Sequence, residues 1–305
     1  MNTARQNFLD AQKRMLNRYG VEAESRFVDV PVVGGRAHVL ASGEGPAILA
    51  VSGLGNPAAM WAPLMAELGG FRVFAVDLPA FGLTDTIEGF ANGMRANAVR
   101  FLDEVLDGLG VESAAILANS LGSLWTSWLA LDQPERVTAI MHVGCPALVL
   151  GTSAPFPMRL LSLRPLGRLL TRLQPPSRSQ VEGLSKMVNE FPLVPELADL
   201  ILSTERLPHF RDTFLSMLHV LLRLRGSQGL RLTAEQLARI SQPTLVFWGR
   251  NDPFGPVEIG QGMVKAMPDA ELHVVGGGHA PWLTEAEPIG TDTVRFLSAL
   301  PTTRR

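Results

Sequence analysis

A serine flanked by small residues is the feature that most restricts how this chain can fold. An apolar run over 114–118 predicts a strand, and the pattern over 121–131 predicts a helix that follows almost at once. Ser120 lies in the turn between them, with Ala118 two positions before it and Gly122 two positions after it. Bulky side chains at those positions would clash in so tight a turn, so the small residues allow the serine hydroxyl to stand above the sheet edge.

Two later segments place polar side chains at the ends of predicted strands. Asp252 follows the apolar run 244–249, and His279 follows the strand 271–275 and a run of glycines. Each residue lies just past the carboxyl end of its strand, which is the edge where open parallel sheets build their sites. We therefore expect Ser120, Asp252 and His279 to meet at one edge of a parallel sheet.

These motifs resemble those of the α/β-hydrolases that carry a helical cap. The resemblance covers about residues 24 to 301 and rests also on residues 52–55 and 77–82. The order serine, acid, histidine along the chain is the order of that family. The resemblance implies an α/β fold with a mostly parallel central sheet, helices on both faces of the sheet and a helical cap insertion.

The same resemblance assigns chemical roles to the polar residues. His279 would be the general base that takes the proton of Ser120, because a serine hydroxyl is a weak nucleophile until a base removes its proton. Asp252 would hold the other ring nitrogen of the histidine and stabilise the imidazolium. The backbone N–H groups of Leu54 and Leu121 would form the oxyanion hole.

From residue 146 to residue 242 the alternation of strands and helices stops. This stretch is rich in leucine and arginine and is interrupted by prolines, which predicts several short helices. We interpret residues 146–242 as a helical cap, or lid, on a core domain formed by residues 1–145 and 243–305. An insertion between the strands that lead to Ser120 and Asp252 would lie over the sheet edge and enclose a pocket there. The residues expected to line this substrate pocket are Trp61, Asn119, Phe214, Met217 and Trp282.

Composition argues against several other classes of protein. The 305 residues are 46% hydrophobic, enough to bury a large core, and the net charge of −2 comes without the basic stripe that nucleic-acid binding requires. No run of 18 apolar residues predicts a membrane span, and residues 1–20 lack the apolar centre of a signal peptide, so we expect a cytoplasmic protein. The single cysteine, Cys145, excludes an intrachain disulfide, and no residue spacing indicates a metal or a cofactor.

A carboxylic ester hydrolase is the function that these residues favour. A serine, a base, an acid and oxyanion donors catalyse acyl transfer to water, and an apolar cap favours a small hydrophobic ester processed through an acyl-enzyme. A second interpretation is a carbon–carbon bond hydrolase, because residues 119–122 resemble the serine turn of the meta-cleavage-product hydrolases and Trp282 follows His279 by three positions, as in that group. Thioesterase and lactonase activities are further alternatives. The non-enzyme alternative is a ligand receptor or a pseudoenzyme on the same fold.

Overall fold

A computed structural model of the chain, which describes residues 3–222 and 228–301, shows an eight-stranded sheet at the centre of the described part. In chain order the strands are β1 (Glu24–Val30), β2 (Gly35–Ser42), β3 (Ala47–Val51), β4 (Arg72–Val76), β5 (Ala114–Ala118), β6 (Val137–Val143), β7 (Thr244–Gly249) and β8 (Ala270–Val275). They lie side by side in the order β1-β2-β4-β3-β5-β6-β7-β8. Strand β2 is antiparallel to β1 and to β4, and the other neighbouring pairs are parallel. The predicted fold class, an α/β fold with a mostly parallel sheet, is confirmed.

Helices cover both faces of this sheet. In chain order, those of the described residues are α1 (Thr3–Arg18), α2 (Ala62–Met65), α3 (Met94–Leu109), α4 (Leu121–Asp132), α5 (Phe156–Leu161), α6 (Arg164–Leu173), α7 (Arg178–Met187), α8 (Pro195–Glu205), α9 (Phe210–Leu222), α10 (Ala234–Leu237), α11 (Val257–Ala266) and α12 (Ala286–Ala299). Helices α3, α4 and α11 contribute to one hydrophobic cluster, and α1, α2 and α12 contribute to another. Successive side chains of a strand point to opposite faces, so Leu49 lies in the first cluster and Ala50 in the second. Strands β3, β5 and β7 are buried on both faces, which explains why their sequences are almost entirely apolar, whereas the edge strand β8 is partly exposed and carries polar residues.

The insertion between β6 and β7 carries helices α5 to α10. They fall in the stretch 146–242 that the sequence predicts to be a cap, of which residues 223–227 lie outside the described part. Helix α8 packs against α1, and an ion pair of 3.1 Å joins Arg18 on α1 to Glu196 on α8. The N-terminal helix therefore supports the insertion from the side of the core.

His142 is buried at the centre of the sheet, on β6, and neither of its ring nitrogens has a hydrogen-bond partner among the described residues. Burial lowers its pKa from 6.5 to about 3, because the imidazolium would lose its hydration. Between these two pH values the unfolded chain binds a proton at this position and the native protein does not, so the contribution of His142 to stability falls as the pH falls.

Replacement of His142 by leucine should remove this pH dependence. Relative to His142→Leu, the wild-type protein is expected to lose about 1.4 kcal/mol of its free energy of unfolding for each pH unit below about 6.5. Urea unfolding of both proteins between about pH 7 and about pH 4 measures the difference, in which the other titrating groups cancel. Parallel pH dependences of the two proteins would contradict the assignment of a neutral, buried imidazole.

Candidate active site

The turn that carries Ser120 joins β5 to α4. The backbone of Ser120 has φ +53° and ψ −112°. This conformation is costly for a residue other than glycine, so the surrounding packing must enforce it. A side chain at Gly122 has no room, because a Cβ atom there would lie 2.2 Å from the carbonyl oxygen of Val51 on β3. Helix α4 begins at Leu121, directly after the serine, so the turn is as tight as its small residues allow.

Asp252 lies in the turn after β7 and holds the ring of His279, which lies in the loop after β8. Nδ1 of His279 is 2.9 Å from Oδ2 of Asp252. The same carboxylate accepts the backbone N–H groups of Cys145 and Phe254, each at 2.9 Å, so three donors fix its orientation. With Nδ1 donating to the acid, Nε2 is left as the ring nitrogen that can accept a proton.

Ser120 and His279 line one cavity of about 850 Å³, a size that suits a small molecule. Asp252 is buried and lies behind the histidine ring. Phe254 stacks on that ring, with the centroids 4.0 Å apart, and lines the same cavity. Apolar side chains of the insertion form much of the remaining wall; among them are Leu160, Leu161, Leu170, Leu184, Leu193 and Phe210. The cavity thus joins the candidate nucleophile and the candidate base in apolar surroundings.

The two backbone N–H groups predicted for the oxyanion hole belong to residues beside Ser120. Leu121 is the first residue of α4, so its N–H has no partner inside the helix. Leu54 lines the cavity and lies in a turn closed by a hydrogen bond of 3.2 Å from the N–H of Asn56 to the carbonyl of Gly53. A Cβ atom on Gly53 would lie 2.8 Å from Oδ1 of Asn119 and 3.2 Å from the Cβ atom of Ser120, so residue 53 lies against the serine turn and has little room for a side chain.

The five residues predicted to line the pocket divide into two groups. Asn119 and Phe214 line the cavity. Trp61, Met217 and Trp282 are at most 1% exposed and belong to the two hydrophobic clusters of the core. The two tryptophan rings stack with their centroids 4.3 Å apart, and the Trp282 indole N–H donates to a backbone carbonyl at 2.9 Å. The prediction is therefore wrong for these three residues, which lie in the core and pack against other side chains of the protein.

Asn119 also connects the serine turn to the histidine loop. Its side-chain N–H₂ donates to the carbonyl of Val143 at 2.7 Å and to the carbonyl of His279 at 3.0 Å. Its Oδ1 is buried and has no hydrogen-bond partner among the residues that the structure describes. The residue directly before Ser120 therefore sets the position of the His279 backbone relative to the serine.

Two carboxyl groups on the cavity wall, Glu190, which is buried, and Glu205, which is half-buried, were missed by the sequence analysis. Glu190 and Glu205 both lie in the insertion and line the cavity. Burial raises the pKa of each carboxyl group to about 7. Two backbone N–H bonds partly oppose this rise in Glu190, and the charge of Arg206 partly opposes it in Glu205. No motif marks either residue, because an acidic side chain in a helical stretch is most often exposed.

A second serine–histidine–aspartate array lies away from the cavity. Nδ1 of His38 is 2.7 Å from Oδ2 of Asp77, and Nε2 is 2.6 Å from the hydroxyl of Ser25. The Asp77 carboxylate also accepts the N–H groups of Ala58 at 2.6 Å and Leu83 at 2.8 Å. None of the three members lines the cavity, so this array holds β1, β2 and the loops after β3 and β4 together.

The described part of the chain shows no group of three or more His, Cys, Asp or Glu side chains placed to hold a metal ion. Among the same residues, none of the helices is long and apolar enough to cross a membrane.

Known proteins resemble this chain in sequence and in fold. The family model described as "alpha/beta hydrolase fold" matches residues 46–286. A 2-hydroxy-6-oxononadienedioate/2-hydroxy-6-oxononatrienedioate hydrolase of Paraburkholderia phymatum is 32% identical over 281 residues, which are 85% of this chain and 91% of that protein. A protein of the same name from a Pseudomonas species is 29% identical over 284 residues, covering 90% and 96% of the two chains. The crystal structure of a carboxylesterase from Bacillus subtilis, 19% identical, superimposes with a TM-score of 0.79 over 98% of this chain and 99% of that one, which shows the fold alone.

These relatives correct the predicted function. Neither of the two curated relatives is named as an ester hydrolase, so the prediction of a carboxylic ester hydrolase is wrong and the carbon–carbon alternative is better supported. The two chemistries use the same serine, histidine and acid, which is why the motifs did not separate them. Because the family model matches most of its length, the chain belongs to the α/β-hydrolase fold family.

Proposed function

We propose that this protein hydrolyses a carbon–carbon bond in a 2-hydroxy-6-oxo-2,4-dienoate, with Ser120 as the nucleophile, His279 as the general base and Asp252 as the acid that orients the base. The observation that carries the proposal is the assembled site, in which a histidine bonded to Asp252 shares an apolar cavity with Ser120. The names of the relatives support the class of substrate.

The chemistry of such a dienoate explains how a serine can break this bond. The molecule carries a ketone at C6 and an enol at C2, joined by conjugated double bonds. Transfer of the enol proton to C5 gives a ketone at C2 and a CH₂ group next to the C6 carbonyl. After a nucleophile has added to C6, the C5–C6 electron pair can move through C4 and C3 onto the C2 oxygen. The leaving group is then the enolate of 2-hydroxypenta-2,4-dienoate.

Each group of the site has a step in this reaction. His279 takes the proton of Ser120 as the serine oxygen adds to C6, and Asp252 stabilises the imidazolium. The N–H groups of Leu54 and Leu121 stabilise the negative charge on the C6 oxygen. Cleavage of C5–C6 leaves an acyl group on the serine, and the imidazolium protonates the departing enolate. His279 then takes a proton from water as the water oxygen adds to the acyl carbon. It returns this proton to the serine oxygen as the bond between that oxygen and the acyl carbon breaks and the carboxylic acid leaves.

The cavity suits a conjugated acid of this kind. Helices α5 to α9 supply much of its apolar wall, which supports a role for residues 146–242 as a cap on a core of residues 1–145 and 243–305. Three exposed arginines also line the cavity, and a substrate carboxylate near them meets positive charge. They are Arg172, Arg206 and Arg211.

The absorbance of a dienoate with a phenyl group at C6 tests the proposal, because cleavage interrupts the conjugation that colours it. We expect the visible absorbance to disappear in proportion to the amount of protein, and kcat/KM to exceed that for a p-nitrophenyl ester of similar size. Turnover of the ester with an unchanged dienoate spectrum would overturn the proposal.

A further inference from the structure

Residues 188–190 of the insertion hold the two loops that carry His279 and Asp252. The backbone N–H of His279 donates to the carbonyl of Val188 at 3.1 Å. The side chain of Asn189 donates to the carbonyl of the residue before Asp252 at 2.7 Å. The 188–190 segment lies between α7 and α8, so these bonds join the insertion to the core at the site itself.

Glu190 makes the contact that surrounds the histidine. One of its carboxylate oxygens, Oε1, accepts the backbone N–H of Gly278 at 2.9 Å and that of Ala280 at 2.7 Å. These residues directly precede and follow His279, so one oxygen atom of the insertion fixes the chain on both sides of the candidate base. The carbonyl of His279 is held from the core by Asn119 at 3.0 Å.

The burial of Glu190 is costly, and a merely structural contact does not explain it well. The residue is 6% exposed, and its second oxygen, Oε2, is buried with no hydrogen-bond partner among the described residues. A glutamine would offer the same acceptor to the two N–H groups without a charge to desolvate. Burial raises the pKa of Glu190 to about 7, and Asp252 adds to this rise, while the N–H bonds and His279 oppose it. A carboxyl group buried at this position, on the cavity wall, indicates that its negative charge has a function in the site.

We propose that Glu190 is a positioning residue for His279: it ties the insertion to the histidine loop, and its negative charge stabilises the imidazolium that forms during the reaction. This rests on the proposed function, because it takes His279 as the general base. The titratable groups that act on Glu190 are His279 and Asp252, both from core loops. In this proposal two carboxylates stabilise the imidazolium: Asp252 directly, through its hydrogen bond to Nδ1, and Glu190 at longer range, through its charge.

Two substitutions of Glu190 distinguish the effect of its hydrogen-bond acceptor from the effect of its negative charge. Glu190→Gln keeps an oxygen for the two N–H groups and removes the charge, so His279 should lose its proton more readily. Because Glu190 is only partly ionised near pH 7, the acidic limb of the kcat/KM profile should then move by up to about 0.5 pH unit toward lower pH. Above that limb kcat should fall about threefold, because the imidazolium formed during the reaction loses the same stabilisation. Glu190→Ala removes the acceptor as well, and we expect kcat to fall at least about tenfold at every pH with a smaller change in KM.

Glu205→Gln is the matched control. It also removes a carboxyl group whose pKa is raised to about 7 by burial in the same cavity, but Glu205 has no hydrogen bond to the histidine loop. It is expected to change KM and to leave the position of the acidic limb where it is in the wild-type protein. Equal shifts of that limb in Glu190→Gln and Glu205→Gln, or wild-type kcat in Glu190→Ala, would overturn the proposal.

A second readout makes the inference independent of the substrate class. The rate at which a fluorophosphonate labels Ser120 reports the activated serine whatever the natural substrate is, and its pH profile should shift in Glu190→Gln. If that shift is seen while the dienoate is not cleaved, only the substrate assignment fails. If the wild-type protein is not labelled at Ser120, both the proposed function and the role of Glu190 fail. Because Glu190→Ala can lose its fold, the folded Glu190→Gln protein, checked by circular dichroism, decides the test.

Discussion

Replacement of Ser120 by alanine is expected to lower kcat for the dienoate at least about 10⁴-fold and to leave the protein folded. The substitution removes the atom that adds to C6, whereas the cavity and the N–H groups of the oxyanion hole remain. The fold should survive, because the tight turn is imposed by the packing of Gly122 against Val51 and not by the serine hydroxyl. The absorbance assay measures the loss, and thermal unfolding followed by circular dichroism shows whether the protein is folded.

The matched control is Ser25→Ala, which removes the serine of the second array. The Ser25 hydroxyl is 2.6 Å from Nε2 of His38, as a catalytic serine would be from its base, yet neither residue lines the cavity. Its kcat should equal that of the wild-type protein. Loss of turnover in Ser25→Ala together with normal turnover in Ser120→Ala would show that the reaction takes place at His38 and would reject the proposed site.

Replacement of Asp252 by asparagine is expected to lower kcat by about 10⁴-fold, the size of the effect in a serine protease triad. The Asp252 carboxylate accepts hydrogen bonds from His279 Nδ1, from the N–H of Cys145 and from the N–H of Phe254. An amide has only one oxygen to share among these donors. An amide N–H₂ facing the ring forces Nδ1 to accept, so the proton moves to Nε2, which then has no lone pair to take the serine proton.

Asp292→Asn is the control for this substitution, because Asp292 also bonds to Nδ1 of a histidine, His273, at 2.8 Å, and neither residue lines the cavity. Its kcat should remain that of the wild-type protein. Steady-state kinetics of the two variants across the neutral pH range compares them. A kcat for Asp252→Asn within about tenfold of wild type would show that another group orients His279.

Local patterns were enough to predict the sheet and the edge at which the polar residues meet. Ser120 is marked by the small residues of its turn, and Asp252 and His279 are marked by the apolar strands before them. Because β5, β6, β7 and β8 are parallel neighbours, their carboxyl ends share one edge, and the structure brings the three side chains there. The catalytic roles given to them remain proposals.

Contacts between distant segments were beyond the reach of such patterns. Trp61 and Trp282 stack on each other although they are far apart in sequence, and no periodicity indicates that this packing removes them from the pocket. Glu190 reaches N–H groups that lie 88 and 90 positions further along the chain, so its role follows only from the way the insertion folds back on the core. The motifs do not set the class of bond that is cleaved, since ester and carbon–carbon hydrolysis use the same catalytic groups.

Product analysis by mass spectrometry tests the central claim most directly. Wild-type protein and Ser120→Ala are each incubated with the C6-phenyl dienoate, and benzoate and 2-hydroxypenta-2,4-dienoate are quantified. We expect the wild-type protein to form the two acids in equal amounts and Ser120→Ala to form neither above the uncatalysed background. An unchanged dienoate with the wild-type protein, or equal product formation by the two proteins, would contradict carbon–carbon bond hydrolysis at Ser120.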